Sequence, residues 1–533
     1  MSTTPATVRP LSPPPNAAPL PPALAGRSDL PSQTAISDAA LFTAGNYAAN
    51  ALLLVAGLLQ KAILGPVATG YWALMQTAWT FFSIAPLGAQ HGATRQIPAH
   101  RGRGDFASAE AAAGTGASFS LAAISVLGCV VAAVAVLIGG SWAPELRFGL
   151  ILLGVTAPLR FITDAHEVVF QAIKRFDVAS TTVVVKAVLA LTLQTAAVYA
   201  LGFYGLFLGL VAIELGVFAL WLRMGIISRR RPAFRFGIDR IRLRELIRYG
   251  APIMVTAQVW LLFQAVDSLI IAGALDVRHL GYYALAVSVT TYVLYLPKSI
   301  GAVLFPRMME SFARTGEIGS IQHYATDVQR LLAYMLVPLA VAVGFFAFPV
   351  LIRHALPEFE PAITVVQIMV AATFFMALMN MPIKVLLTAG YRWSVTALVL
   401  VCLAVNAGLN YAAVVLLDQG IEGAAVATAV SYLVTFLLTT GFSLSRDLPL
   451  RRVALHLAEM LVVFANTYGA LRLVEWALGS PEVGLIPDAG LAALKLGAFL
   501  LLMAPWVILA ERRLRGLTMI REVLRHAGRR LHL

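Results

Sequence analysis

The feature that most restricts the fold of this sequence is a series of apolar segments that are each long enough to cross a membrane. A spanning helix needs about 20 apolar residues, and segments of this kind follow one another along the chain. Charged residues are only 13% of the total, whereas a soluble protein carries about 25%. The sequence therefore predicts an all-α, polytopic membrane protein with about 14 transmembrane helices. The predicted spans are 39–64, 68–88, 107–139, 149–170, 181–201, 204–225, 249–275, 280–305, 331–351, 363–388, 395–417, 423–443, 453–473 and 489–509.

The charges of the loops between these segments alternate along the chain. Every second loop is rich in arginine, as at Arg101, Arg230 and Arg451, whereas the opposite loops carry acidic residues such as Glu358 and Glu422. Positive charge is retained on the cytoplasmic side of a membrane. The pattern predicts an even number of spans, with both termini in the cytoplasm. It also explains the net charge of +13 without a nucleic-acid partner.

Two parts of the chain resemble each other. Gly70-Tyr71-Trp72-Ala73-Leu74 matches Gly281-Tyr282-Tyr283-Ala284-Leu285 at an offset of 211 residues, which also pairs Pro86 with Pro297. This similarity either reflects chance agreement between Ala/Leu-rich helices or predicts two related bundles. Repeated bundles are typical of transporters, because two similar units can rock about a shared cavity.

These observations divide the chain into six regions. Two helix bundles are joined by a polar linker and followed by an additional helix pair. A polar tail lies at each end of the chain. The linker arginines either bind anionic lipids of the inner leaflet or only fix the topology. The pattern of apolar and basic residues in the C-terminal tail predicts a helix that lies in the membrane interface or binds a partner. The regions are 1–37, a disordered cytosolic tail; 38–227, the N-terminal six-helix bundle; 228–248, a basic cytosolic linker; 249–446, the C-terminal six-helix bundle; 447–510, the helix pair; and 511–533, a basic amphipathic cytosolic tail.

Several ionisable residues lie inside the predicted spans. Such residues are costly in lipid and usually face the bundle interior or a water-filled cavity. The candidate cavity cations are Arg160, Lys186, Lys298 and Lys384, and the candidate counter-charges or coupling sites are Asp164, Glu214 and Asp267. Lys186 and Lys384 alternatively extend to the interface, and Arg160 and Asp267 alternatively belong to structural ion pairs. Arg160 and Asp164 are one helical turn apart and can share a face.

Two prolines inside predicted spans and the absence of catalytic sequence motifs also bear on the function. Pro86 and Pro297 can break their helices, and transporters use broken helices at binding sites. The sequence contains no GxxxxGK[ST], HExxH or GxSxG motif, and its two cysteines lie in apolar runs. We therefore expect no metal, no bound cofactor and no enzymatic activity, but coupling to H⁺, Na⁺ or the membrane potential.

Three segments carry a resemblance to a known family. Arg242–Met254 (RLRELIRYGAPIM), Ala265–Leu275 (AVDSLIIAGAL) and Leu64–Leu74 (LGPVATGYWAL) resemble Wzx-type polysaccharide flippases of the multidrug/oligosaccharidyl-lipid/polysaccharide exporter superfamily. Asp267 matches an acidic position that is frequent in the seventh span of this family. Ser268 stands where the family usually has an arginine, so the sequence departs from the family pattern at this position.

The resemblance implies a function. Family members move lipid-diphosphate-linked oligosaccharides across the bacterial inner membrane, so a polyprenyl-diphosphate-linked glycan is the expected substrate, for exopolysaccharide, capsule or O-antigen biosynthesis. A polysaccharide polymerase and glycosyltransferases are the expected partners. Arg160 and Lys298, one from each half, would then bind the diphosphate. A drug or organic-cation antiporter and a lipid II flippase of the same superfamily are the alternatives.

Overall fold

The computed structural model describes residues 33–172, 175–224, 237–479 and 484–514, without side chains at 33–44, 102, 171–172, 176, 296, 299–303, 306–307 and 509–514. The described residues form helices and no strand, as the sequence predicts. The helices are α1 (Gln33–Phe82), α2 (Ala89–Gly102), α3 (Phe106–Leu137), α4 (Pro144–Ala172), α5 (Phe176–Leu189), α6 (Thr195–Leu201), α7 (Gly205–Arg223), α8 (Arg240–Ala274), α9 (Val277–Val293), α10 (Tyr295–Thr315), α11 (Gly319–Leu331), α12 (Val337–Ala355), α13 (Ile363–Leu378), α14 (Asn380–Thr388), α15 (Arg392–Tyr411), α16 (Gly420–Leu444), α17 (Leu450–Leu478) and α18 (Leu485–Leu514).

Eleven continuous helical stretches of the described chain are long and apolar enough to cross a membrane. Two of them, Gly45–Phe82 and Asp177–Arg223, each contain two predicted spans. Gly65 separates the first two spans with a φ of 71° that favours glycine, and Pro66 follows it. The predicted span at 280–305 is divided between α9 and α10. The polytopic all-α fold predicted from the sequence is therefore confirmed.

The second span of each half is interrupted near a proline. In the first half, α1 ends at Phe82 and α2 begins at Ala89, after a turn that contains Pro86. In the second half, α9 ends at Val293, and Pro297 lies in the first turn of α10. Proline lacks a backbone N–H and cannot continue the hydrogen-bond ladder of a helix interior. The two breaks are 211 residues apart, which is the offset of the sequence repeat.

The two halves touch through matched glycines at the end that the charge pattern predicts to face outward. A Cβ at Gly70 would overlap the backbone oxygen of Val277, and a Cβ at Gly281 would overlap that of Pro66. Gly70 pairs with Gly281 in the repeat, and Pro66 pairs with Val277 at the same offset. Each half therefore presents the same surface to the other, as at a two-fold axis. We call this the outer glycine contact.

A second contact joins the halves at the predicted inner side. Gly88 and Gly92 of the first half pack against Leu246, Gly250 and Ala251 of α8, so closely that a Cβ on either α2-side glycine would meet opposing backbone. Leu246 is fully buried in the apolar core of the first half. Helix α8 begins at Arg240, within the segment that the sequence predicts as a linker. The rest of that segment, up to residue 236, lies outside the described residues, as do residues 1–32 and 515–533 of the predicted tails.

The additional helix pair, α17 and α18, packs on the second half through polar contacts. The guanidinium of Arg330 donates to both carboxylate oxygens of Glu459, at 3.2 and 2.9 Å. The buried side chain of Gln329 contacts His456 at 2.8 Å. On α18, Asp488 accepts hydrogen bonds of 3.0 and 3.1 Å from Arg353. Because Gln329, His456 and Asp488 are buried, these bonds satisfy groups that lipid could not solvate.

Candidate functional site

A cluster of charged side chains lies inside the first half, between α4, α5 and α7. Lys186 of α5 is its centre, with Nζ 2.6 Å from Glu167, 3.5 Å from Asp164 and 3.6 Å from Glu214. Thr163 also donates a short hydrogen bond to the buried Glu214. Three carboxylates therefore surround one ammonium group, so Lys186 is paired inside the protein instead of extending to the interface. We call these residues the first-half cluster.

Arg160 lies beside this cluster but is held differently. Its guanidinium lies 4.4 Å from the ring centre of Trp79, the geometry of a cation–π contact. In the part of the chain that the structure describes, Arg160 belongs to no ion pair, and Asp164 pairs with Lys186 instead of with Arg160. The expected pairing of Arg160 with Asp164 on one face of α4 is therefore not formed. The positive charge of Arg160 is left available to an anion.

Arg160 also lines a small, partly open cavity. Trp79 of α1 and Glu214 of α7 are also part of its wall, and Thr156 together with apolar residues of α4 and α7 forms the rest. The residues around this cavity all come from the first half, and Lys298 is not one of them. The cavity thus combines one cation, one carboxylate and one indole ring.

The second half contains a carboxylate that has no cationic partner among the described residues. Asp267 of α8 is 3% exposed. Tyr283 of α9 donates a short hydrogen bond to its Oδ2 atom, and Thr428 of α16 donates to the same atom at 3.3 Å. The backbone N–H of Ser268 donates to Oδ1 at 2.9 Å. Ser268 therefore supplies a neutral donor where the family resemblance led us to look for an arginine.

Two buried amides extend this group of oxygen atoms. Asn410 donates to Asn406 at 2.7 Å, and Asn406 donates to the backbone oxygen of Phe263 at 3.1 Å. Both asparagines are completely buried. The amide oxygen of Asn410 has no hydrogen-bond partner, and its Nδ2 atom lies 3.5 Å from Thr428. We call Asp267, Tyr283, Asn406, Asn410 and Thr428 the second-half cluster.

The chemistry of the second-half cluster suits a proton or a hard monovalent cation. An ionised carboxylate without a counter-charge is very costly in a low-dielectric interior, so a proton or a cation must balance it. Hard cations prefer carboxylate, amide and hydroxyl oxygens, and all three kinds are present here. Among the described residues, no group of three or more His, Cys, Asp or Glu side chains could hold a metal ion.

The remaining predicted residues lie apart from the two clusters. Lys298 is exposed near the start of α10, and the ammonium group of Lys384 lies 5.8 Å from the ring centre of Phe305. Neither lysine belongs to an ion pair within the described ranges. Pro86 and Pro297 are both buried at the two helix breaks.

Sequence reasoning missed the uncharged members of both clusters. Tyr283, Asn406, Asn410 and Thr428 are ordinary polar residues in apolar helices, and only the tertiary packing brings them to Asp267. One signal was available: Asn406 and Asn410 are four residues apart and therefore share one face of α15. Glu167 is not among the residues selected from the sequence, yet it contacts Lys186 at 2.6 Å.

Comparison with known proteins gives a family and a fold. Residues 63–356, more than half of the chain, match the profile of a family described as polysaccharide biosynthesis protein. No curated protein matches the chain.

Several solved structures share the fold at low sequence identity. The lipid II flippase MurJ in an inward closed conformation aligns with a TM-score of 0.67 at 12% identity, over 89% of this chain and 99% of its own. An inward-facing multidrug resistance MATE family transporter of the MOP superfamily aligns with a TM-score of 0.61 at 15% identity, over 77% and 95%. A variant of a Vibrio cholerae MATE transporter gives 0.55 at 15% identity, over 76% and 94%. These structures show the fold that the chain shares with them, and the family match confirms the predicted relation to polysaccharide biosynthesis proteins.

Proposed function

We propose that this chain, which belongs to the polysaccharide biosynthesis protein family, moves a lipid-diphosphate-linked oligosaccharide across the bacterial inner membrane by alternating access. The observation that carries the proposal is that one chain combines a polysaccharide-biosynthesis family match with the fold of flippases and transporters. Building blocks of an external polysaccharide that are assembled in the cytoplasm must be moved across the membrane. We place both termini in the cytoplasm, and a polysaccharide polymerase and glycosyltransferases next to it in the pathway.

Arg160 is the residue that we propose for binding the diphosphate. Its guanidinium is planar, always charged and able to make paired hydrogen bonds with phosphate oxygens. Stacking on Trp79 orients it, and the lack of an ion pair in the described region leaves its donors available. In this proposal Lys298 and Lys384, which are likewise without ion pairs there, supply positive charge from the second half, and Lys186 stays paired with the nearby carboxylates.

Ion coupling is proposed at the two buried carboxylates. Asp267 carries the coupling H⁺ or Na⁺ among the neutral oxygens of the second-half cluster. Glu214, Asp164 and Glu167 outnumber Lys186, the one cation of the first-half cluster, by two charges if all are ionised, so this cluster can also accept a cation. Occupancy of either site would change the packing between helices of one half, which can be transmitted to the rocking of the halves.

One observation favours a second candidate, an organic-cation antiporter. The cavity beside Arg160 also contains Trp79 and Glu214. An aromatic ring and a carboxylate are the groups that recognise organic cations. The guanidinium of Arg160 in the same small cavity opposes such a ligand, and for this reason we prefer an anionic substrate.

Reconstitution distinguishes these functions. The purified full chain would be placed in liposomes with a fluorescent lipid-diphosphate-linked oligosaccharide, with lipid II, or with ethidium as an organic cation. Exposure of the glycan headgroup at the outer surface would be followed with an external glycosidase or lectin. We expect a protein-dependent increase for the oligosaccharide lipid alone. Ethidium transport without glycan exposure would favour the antiporter, and preferential movement of lipid II would favour that substrate.

A further inference from the structure

The inner contact between α2 and α8 brings positive charge from both halves together. We call the packing of Gly88 and Gly92 against Leu246, Gly250 and Ala251 the α2–α8 seam. The glycines let the backbones touch, so the side chains along the edges of the seam are also close. Exposed arginines on or directly after these two helices are Arg95, Arg101, Arg103, Arg240, Arg244 and Arg248.

One of these arginines reaches across the seam. The guanidinium of Arg95, from the first half, lies 5.6 Å from the ring centre of Tyr249 in the second half. Arg248 is the residue directly before Tyr249 and is exposed on the same helix. The closed seam therefore has one arginine in contact with Tyr249 and another directly before it in sequence, one from each half. Like charges that are held close together raise the energy of such an arrangement.

The protein itself does not balance these charges within the described residues. Arg95, Arg244 and Arg248 belong to no ion pair there, although Glu245 is exposed on the same helix. Arg242, by contrast, has Asp239 at 3.9 Å and donates to the backbone oxygen of Ser108 at 2.6 Å. Asp105 lies 3.6 Å from His100. Asp239 and Asp105 are thus occupied by other partners, and the exposed edge of the seam keeps a net positive charge.

The edge of the seam is charged towards the predicted inner side and apolar further along α8. Tyr249, Ile253 and Val255 are 49%, 41% and 42% exposed although they are large hydrophobic residues. Ile253 is one helical turn after Tyr249, so the apolar surface continues from the arginines into the membrane region. A cationic group followed by an apolar strip matches a phospholipid, with a phosphate at one end and an acyl chain at the other.

We propose that an anionic phospholipid binds at this edge, with its phosphate between Arg95 and Arg248 and its acyl chain along Tyr249 and Ile253. The bound phosphate removes the repulsion between the halves and stabilises the closed α2–α8 seam. Anionic lipid of the inner leaflet would therefore regulate the conformation of the protein. The proposal concerns a site outside the substrate cavity and does not depend on the identity of the transported molecule.

Distance measurements in nanodiscs test this directly. Spin labels would be attached to cysteines replacing the exposed Ala99 and Ile241, in a full-length Cys129→Ser, Cys402→Ala background. Double electron–electron resonance would then compare nanodiscs of phosphatidylcholine with nanodiscs that also contain phosphatidylglycerol. We expect phosphatidylglycerol to increase the short-distance population several-fold. Identical distributions in the two lipids would overturn the proposal.

Matched variants assign the effect to the seam. Arg95→Gln with Arg248→Gln should remove the lipid response, and Arg95→Gln alone, which leaves α8 unchanged, should reduce it. Arg392→Gln is the control, because Arg392 is also exposed and lies beside an aromatic ring, at 6.0 Å from Trp393, but is not part of the seam. A full response in the double variant would contradict the proposal. So would closure by inorganic phosphate in phosphatidylcholine nanodiscs, because the lipid chain would then be unnecessary.

Discussion

At the scale of single residues, the two buried carboxylates Glu214 and Asp267 differ in how their charge is balanced. Glu214 has the ammonium group of Lys186 at 3.6 Å. Asp267 receives only neutral donors, from Tyr283, Thr428 and a backbone N–H. A buried ion pair that loses one partner is strongly destabilised. Removing the charge of Asp267 leaves no cation unpaired among the described residues, so the two sites should respond differently to mutation.

Asp267→Asn should abolish ion-coupled transport without unfolding the protein, because the amide removes the charge, keeps the size of the carboxylate and retains one acceptor oxygen for its neighbours. Na⁺ should raise the melting temperature of the wild type, since a ligand that binds only the folded state stabilises it, and should leave that of Asp267→Asn unchanged. Equal Na⁺ shifts in both proteins would exclude Na⁺ binding at Asp267. If a proton occupies the site, transport should instead respond to an imposed pH gradient.

Arg160→Ala should abolish glycan export while membrane insertion and protein level remain normal, because it removes the guanidinium that faces the cavity. Arg160→Lys keeps the charge but loses the planar stacking on Trp79, so we expect partial activity. Lys298→Ala should also reduce export. Export would be measured by complementation of a strain that lacks the gene, with Arg392→Ala as a control expected to be fully active. Full export by both Arg160→Ala and Lys298→Ala would show that the diphosphate is bound elsewhere.

At the scale of helices, each half repeats a membrane span that has a glycine contact near its outer end and breaks near a proline. Gly70 and Gly281 touch the opposite half near the predicted outer end, and the helices stop at Phe82 and Val293. The intact part between contact and break can move as a rigid rod. The break lets the segment on its inner side take a different direction from the outer segment. One span can therefore contribute to contacts between the halves at both the outer and the inner side of the protein.

Gly70→Leu and Gly281→Leu should each weaken the outer glycine contact, because the new side chain meets opposing backbone that cannot move aside. Overpacking of this kind costs about 1–3 kcal/mol, so both variants should melt at a lower temperature and transport poorly. Gly273→Ala is the control, since a Cβ there meets nothing within 4 Å. Wild-type stability and transport in both leucine variants would show that the outer contact is not required.

At the scale of the whole molecule, the additional helix pair is attached to one half only. Arg330 and Gln329 bind α17, and Arg353 binds α18, all from the second half. Because these are charged or amide contacts in which Gln329, His456 and Asp488 are buried, they would be costly to break during rocking. We therefore expect the pair to move with the second half as one body.

Topology is the prediction that concerns the whole chain. A cysteine introduced at Gln419 should react with a membrane-impermeant reagent from outside, and one introduced at Ser228 should not. The native Cys129 and Cys402 would be replaced first. Gln419 lies between α15 and α16, on a loop with acidic neighbours, and Ser228 belongs to the arginine-rich segment outside the described residues. Labelling of Ser228 but not Gln419 would reverse the orientation of the whole chain.

The sequence by itself determined the membrane character, the all-α class and the repeated broken helix. These properties depend on local physics: about 20 apolar residues span a bilayer, backbone groups in lipid must bond within their own helix, and proline ends the hydrogen-bond ladder. Such requirements are met by residues that are close in the chain. For this reason the positions of Gly70, Gly281, Pro86 and Pro297 could be interpreted from the order of the amino acids alone.

Only the tertiary structure decided which groups meet. The sequence left open whether the ammonium group of Lys186 lies at the membrane interface or inside the protein. The structure places it inside, because three carboxylates of α4 and α7 surround it. Asp267 had no visible side-chain partners in the sequence because Tyr283 and Thr428 come from two other helices. The partner of a side chain inside a bundle depends on the rotation and packing of whole helices. Because these helices are apolar on most of their surface, many rotations about the helix axis keep apolar residues in contact with lipid or with other helices. The choice among them is made by long-range contacts that no local sequence pattern encodes.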